Sequence, residues 1–337
     1  MKRLIVALLA ALPLLANPST ARAGNVPGSI VTTTVAAGNH YSYLLNGQEQ
    51  LFVGMGYNAI YRYLPPDLRA ADYRRDFRLL CQAGVNTITG WDADKGYDQD
   101  KFDELTLNTA NQYGIGVVMP IFMPPDGNYQ DPRLLGSLFR DTIAKVQRFK
   151  DNSALRMWGV GNEVLAAMPP EMYPNFLQVY LNVIDLVHQS DPNHPVIYRD
   201  AEDEFVPVLA QLLRDSGDRR PWLLYGMNVY DKDPEPILRR WPSYGLDRPL
   251  FVSEFGSRGS LPAGRPEAYA GMWRSIRSHP DFVLGGAPYV WSINGPEPTD
   301  KIWGLTNAAA QPSDGTFGAL QQLWQAEPKA NHGSCAP

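Results

Sequence analysis

The 337-residue sequence predicts an α/β fold, a single-domain (β/α)₈ TIM barrel. Three observations predict it. Short apolar runs alternate with amphipathic stretches from residue 51 to residue 326, which calls for parallel strands joined by helical crossovers. The strand-helix unit occurs eight times, the number that closes a barrel. No linker or low-complexity segment interrupts the series.

In order, Leu51–Tyr57 reads as the first strand and Asp67–Ala83 as its helix, followed by Val85–Gly90 with Asp100–Tyr113. Gly116–Ile121 with Asp131–Lys150 and Leu155–Val160 with Pro170–Gln189 complete the first half. Pro195–Arg199, Trp222–Val229, Pro249–Ser253 and Val283–Trp291 are the remaining strands. Their helices are Phe205–Asp215, Pro236–Trp241, Arg265–Ser278 and Ser313–Gln325. Gly84 and Gly114 fall where a left-handed residue ends a helix, while Asp131-Pro132 and Pro169-Pro170 open others.

Residues 1–23 stand apart. Lys2 and Arg3 precede an apolar run, Leu4–Ala16, and Ala21-Arg22-Ala23 offers a small-x-small cleavage site, so a signal peptide and a secreted or periplasmic product are expected. Residues 24–50 form a β-rich lead-in ending at the turn signal Asn46-Gly47, and 327–337 a tail. No later apolar run is long enough to span a membrane. The chain carries 35 acidic against 30 basic side chains, with no basic cluster to follow a phosphate backbone, so nucleic acid is not an expected partner.

The two cysteines, Cys81 and Cys335, give no zinc-binding pattern; they either pair or stay free. His40, His188, His194, His279 and His332 are scattered, and no Gly-x-Ser-x-Gly elbow occurs. The acidic loop from Asp92 to Asp100 fails the calcium pattern, with Gly96 fifth and Asp103 twelfth. Neither a metal nor an organic cofactor is expected.

Reacting groups of a (β/α)₈ barrel project from the carboxyl ends of its strands. Glu163 closes Trp158-Gly159-Val160-Gly161-Asn162-Glu163 after the fourth strand, and Glu254 follows Phe251-Val252-Ser253 at the seventh. A strand-end glutamate is by itself often a helix cap or a first-turn acid. Two of them at one barrel mouth suit acetal cleavage, which needs a proton for the leaving oxygen and an anion facing the developing positive charge. A separation of about 5–5.5 Å would allow a retaining double displacement. The aromatics Tyr61, Tyr63, Trp91, Tyr97, Tyr129 and Trp303 follow strands, where they either stack sugar rings or pack the loops.

Leu51-Phe52-Val53-Gly54-Met55-Gly56-Tyr57, Gly161-Asn162-Glu163, Asn228-Val229-Tyr230, Ser253-Glu254-Phe255-Gly256 and Tyr289-Val290-Trp291 resemble the clan of retaining β-glycosidases. Its barrels carry the acid/base after strand four and the nucleophile after strand seven. Within that clan the chain is similar to the barrel of β-galactosidase and β-glucuronidase-type enzymes. Ala71-Asp72, Arg75-Asp76, Tyr198-Arg199-Asp200 and Trp303-Gly304-Leu305 resemble β-1,3-glucan transglycosylases.

The resemblance implies Glu163 as acid/base and Glu254 as nucleophile, with Asn162 on the sugar 2-hydroxyl and Tyr230 orienting the nucleophile. It also implies Trp291 as the platform beneath the sugar, with Asn228, Arg62 and Trp91 as further substrate-binding residues. The expected substrate is a β-linked oligo- or polysaccharide, cleaved by water or passed to another sugar. One position departs: Thr89 stands where the clan has an arginine, and either Arg62 or Arg199 would have to supply that charge. An exo-acting β-galactosidase or β-mannosidase type and a non-catalytic carbohydrate-binding barrel are the other readings.

Overall fold

A computed structural model describes residues 28–36, 40–58, 61, 64–91, 102–217, 220–259, 264–328 and 335. Three strands, β1 (Val31–Ala36), β2 (His40–Leu45) and β3 (Gln48–Gln50), make an antiparallel sheet. The Asn46-Gly47 turn takes positive φ at both residues, the geometry a two-residue hairpin requires. The (β/α)₈ series then begins with β4 (Phe52–Gly56), α1 (Pro66–Gln82), β5 (Thr87–Thr89) and α2 (Glu104–Gln112). It continues with β6 (Gly116–Ile121), α3 (Pro132–Phe149), β7 (Leu155–Val160), α4 (Val164–Ala167) and α5 (Tyr173–Ser190).

The second half comprises β8 (Val196–Ala201), α6 (Val206–Asp215), β9 (Leu223–Tyr230), α7 (Glu235–Arg240) and β10 (Leu250–Gly256). It ends with α8 (Gly264–Arg277), β11 (Val283–Pro288), α9 (Asp300–Trp303) and α10 (Thr316–Gln325). Strands β4 to β11 pair in parallel and close, β10 joining β11 and β11 joining β4. The fold class is the one the sequence predicts.

Several ends differ. Helix α2 begins at Glu104 because Asp103 accepts the Thr106 N–H at 3.0 Å and caps it; the expected start, Asp100, lies outside the described residues. A single 3₁₀ turn, Pro170–Met172, precedes α5. Strand β10 runs on through Glu254 to Gly256, whereas β11 stops at Pro288, three residues before Trp291. Residues 1–23, Arg62, Tyr63, Tyr97 and the acidic loop from Asp92 to Asp100 lie outside the described residues.

Alternate side chains on each barrel strand point inward and outward. Phe52, Val118, Met157, Ile197, Leu224, Phe251 and Leu284 fill the barrel, and Val31 and Tyr43 of the lead-in sheet join this cluster from below. Val196 and Tyr198 face outward into the larger core under the helices. The lead-in is fastened at this lower end, where Ser29 Oγ lies 2.9 Å from His194 Nε2 and His194 Nδ1 lies 2.7 Å from Asp191. Trp158 Nε1 donates to the same Asp191 oxygen at 2.8 Å. A disulfide joins Cys81, at the end of α1, to Cys335, resolving the two alternatives left by the sequence.

Candidate active site

The site is built on β7, β8, β9 and β10. Parallel pairing sets Glu254 of β10 beside Asn228 of β9, and Gly256 beside Tyr230. Ser253 Oγ donates to Asn228 Oδ1 at 2.7 Å, fixing which face of the amide turns toward β7. The Asn228 amide then donates to Glu163 Oε1 at 2.9 Å and, more weakly, to Asn162 Oδ1 at 3.3 Å. One asparagine thus spans the two strands that bear the glutamates.

Glu163 adopts a left-handed backbone, φ +50°, two residues after Gly161 at +69°. A non-glycine residue in that region carries strain, and such residues gather at functional sites. It precedes α4 in the N-cap position but makes no side-chain cap. The Leu165 N–H is accepted instead by Asp200 of β8, at 3.3 Å. Glu163 is thereby free to point its carboxylate into the mouth, so the helix-cap alternative does not describe it.

Glu254 is 4% exposed. Its Oε2 accepts a short hydrogen bond from the Tyr230 hydroxyl. Its Oε1 is buried and, among the described residues, has no partner of good hydrogen-bond geometry; Trp91 Nε1 is in the same condition. Burial and the facing Glu163 carboxylate push Glu254 up to about 8, while Tyr230, Arg199 and Trp91 pull it down.

Trp91, 8% exposed, reaches over Gly56 of β4, where any Cβ would meet its ring at 2.6 Å. Its ring meets Tyr289 edge-on at 5.0 Å, and Tyr289 in turn lies 6.1 Å from Tyr230. Tyr289 is half-buried, with its hydroxyl held by Asp300 at 2.8 Å. Trp291 sits elsewhere: it has no exposed surface, its Nε1 donates to Asp76 at 3.0 Å, and its ring packs against Phe317. The aromatic at this strand end is Tyr289, which the sequence reading passed over although it stands in the same segment. The termination of β11 at Pro288 is the reason.

The other expected aromatics divide. Tyr61 and Tyr129 are buried and bind backbone carbonyls of Ala308 and Pro124. Trp303 packs 4.8 Å from Tyr230, with the Arg258 guanidinium over its ring. Of the two candidate arginines, Arg62 lies outside the described residues. Arg199, 2% exposed, crosses the barrel interior and donates to Gly90 O at 2.8 Å and Thr89 Oγ1 at 3.4 Å. It fills the space beside Thr89.

Fold and site together define a (β/α)₈ barrel with two coupled carboxylates at its mouth, on the loop after its fourth strand and on its seventh strand. No family model matches the chain. It is similar to the β-galactosidase of Vibrio cholerae serotype O1, 24% identical over 264 residues, which is 74% of this chain and 23% of that protein. Among solved structures it is similar to a β-glucuronidase of Bacteroides uniformis (TM-score 0.66, 15% identity, 87% of this chain and 37% of that one). A GH2 β-galacturonidase of Eisenbergiella tayi bound to glycerol gives the same TM-score, 0.66, at 15% identity over 90% and 54% of the two chains. The chain thus spans under a quarter of the curated relative and about a third to a half of these structures. What it shares with them is the barrel fold.

Proposed function

We propose that the chain is a retaining glycoside hydrolase or transglycosylase acting on a β-linked glucan or related polysaccharide. One observation carries this reading: Glu254, held at Oε2 by Tyr230 and buried at Oε1, faces a second carboxylate, Glu163, that Asn228 holds in place. The similarity to a β-galactosidase, a β-glucuronidase and a β-galacturonidase supports it.

In this reading Glu254 Oε1 attacks the anomeric carbon while Glu163 gives its proton to the departing oxygen, leaving a glycosyl ester and a free alcohol. Glu163, now an anion, takes a proton from water or a sugar hydroxyl, and that oxygen displaces Glu254. Tyr289 and Trp91 offer the apolar faces on which a pyranose ring packs. Among the described residues, Lys232 and Arg258 are paired with Glu202 and Asp231.

An exo-acting galactosidase or mannosidase type is the second reading, and the similarity to a β-galactosidase supports its galactosidase form. Turnover of aryl glycosides without release of products from a β-glucan polymer selects it. Export is part of the proposal, supported by the N-terminal segment and by a disulfide of the kind oxidising compartments preserve. The deciding experiment is labelling with a 2-fluoro glycoside followed by peptide mapping. Label on Glu254 is expected; label on another residue refutes the assignment.

A further inference from the structure

The loop between β11 and α10 carries one turn of helix, α9, whose first residue is Asp300 and whose last is Trp303. Four residues close too few hydrogen bonds to hold a helix by themselves. Contacts from outside hold this one. The Arg265 guanidinium of α8 donates to the carbonyls of Trp303 and Gly304 at 2.6 and 2.9 Å, and to Asp314 at 2.5 Å. The legs of the loop are laced together, Leu305 N to Val290 O at 2.9 Å and Thr306 N to Trp291 O at 2.8 Å. Asn58, just past β4, exchanges two hydrogen bonds with the Ser292 backbone, at 2.6 and 2.9 Å.

Asp300 has no exposed surface, and burying a carboxyl is costly unless its oxygens are used. Oδ1 accepts the Tyr289 hydroxyl at 2.8 Å, and Oδ2 accepts the Glu297 N–H at 3.1 Å. Residue 295 leaves room for this because it is glycine: a Cβ there would stand 1.9 Å from Oδ2. Asp300 thus fixes the outer end of the ring that meets Trp91 at the mouth.

Trp303, at the other end of the turn, has a different partner. Its ring packs 4.8 Å from that of Tyr230. Gly256, the last residue of β10, permits the approach, because a Cβ on it would lie 3.0 Å from Trp303 and 3.2 Å from Tyr230. The Tyr230 hydroxyl is the donor to Glu254 Oε2. A tyrosine turns about two side-chain bonds, so packing against the ring decides whether its hydroxyl stays in line with the carboxylate. The Tyr269 hydroxyl of α8 lies between the backbones of the two segments, 3.1 Å from Tyr289 O and 3.3 Å from Trp303 O.

We propose that α9 is a positioning element serving both halves of the site: Asp300 sets the angle of Tyr289, on which the sugar packs, and Trp303 holds Tyr230 in line with Glu254. Both act through a tyrosine. The proposal rests on the roles proposed above for Tyr289 and Glu254.

The test is steady-state kinetics on an aryl β-glycoside, with each substitution made alone and in a background lacking the hydroxyl it serves. Trp303→Leu should lower kcat by about 10-fold or more with KM within about 2-fold of wild type, the cost of a misaligned nucleophile. In a Tyr230→Phe background the same change should cost almost nothing further, because no hydroxyl is left to align. Trp303→Phe, which keeps an aromatic face, should recover most of the loss. Asp300→Ala should raise KM by about 3-fold with kcat nearly unchanged, and Tyr289→Phe should do the same. The two together should be no worse than either alone. Losses that add in full in these backgrounds, or that fall on kcat and KM alike, overturn the proposal.

A second readout needs no turnover: ¹⁹F NMR of the chain labelled with 3-fluorotyrosine, its signals assigned with Tyr230→Phe and Tyr289→Phe. Trp303→Leu should shift the Tyr230 signal more than that of Tyr289, and Asp300→Ala should do the reverse. Signals that stay in place, or that move alike in both variants, overturn the proposal. Trp303→Phe carries the same readout should Trp303→Leu fail to fold. Absence of glycosidase activity would strike the functional reading alone, and the spectra would still decide whether α9 positions the two tyrosines.

Discussion

The Asn228 amide sits 2.9 Å from Glu163 Oε1 and, through its own strand pairing, directly beside Glu254. It donates to one glutamate and aligns the other. Asn228→Ala should lower kcat by about 10²–10³-fold on substrates with poor leaving groups, the scale of a lost general acid, and far less on activated aryl glycosides. Steady-state kinetics on the two substrate types checks this; equal losses on both would show that Asn228 serves only packing.

The two glutamates should respond differently to loss of charge. Glu254→Gln should abolish turnover of every substrate, because no anion is left to attack. Glu163→Gln should spare substrates with activated leaving groups, and added azide should raise its rate by resolving the glycosyl ester. Wild-type turnover by Glu254→Gln would remove the nucleophile from this scheme.

Glu254 also ties stability to pH. Its carboxyl rises from 4.5 to about 8 on folding, so between these values the folded chain holds a proton that the unfolded chain has lost. Stability contributed by this group is therefore full below pH 4.5 and declines as pH rises toward 8. Glu254→Gln should unfold at higher temperature than wild type at pH 8, by a margin that shrinks toward pH 4.5. Thermal melts across that range test it, and a margin that does not change with pH counts against the buried, Glu163-coupled carboxyl.

Tyr289 separates binding from chemistry. Tyr289→Ala removes an aromatic face from the mouth and should raise KM by about 10-fold, on the scale of 1–2 kcal/mol for an aromatic contact, with a smaller change in kcat. Trp291→Phe removes the hydrogen bond to Asp76 and should chiefly lower Tm. If Trp291→Phe changes KM and Tyr289→Ala does not, the platform lies where the resemblance first put it.

Cys335→Ser opens a covalent loop of 254 residues in sequence separation. The expected cost is about 2–4 kcal/mol. Thiol titration of the unreduced chain should find no free thiol, and two free thiols would contradict the bond.

Much of this was legible in the sequence because it is written in local rules. Apolar runs of strand length, Gly84 and the Asp131-Pro132 start set the eight units, and the strand-end rule picked out Glu163 and Glu254. What stayed hidden depends on where a strand stops or on contacts between distant segments. The Tyr289-Val290-Trp291 segment does not say that β11 ends at Pro288, so the sequence does not show that Trp291 is buried while Tyr289 stands at the strand end. Asp200 caps α4 from 35 residues away, a substitution no helix-start signal contains. The slot for Arg199 needs Gly159, Gly226 and Thr89 to meet on three strands, and the sequence offered only the oddity of Thr89 as a clue.

The Cys81–Cys335 bond also determines how the molecule bears tension. A pull applied between the lead-in strand at Val31 and the last residues enters at the start of the chain, passes along α1 to Cys81 and leaves through the sulfur bridge. Residues 82 to 334, with β5 to β11 among them, are off that line of force. A tether experiment should accordingly show a short extension from residues 31 to 81 while the bond holds, and the full length of the barrel once a reductant is added.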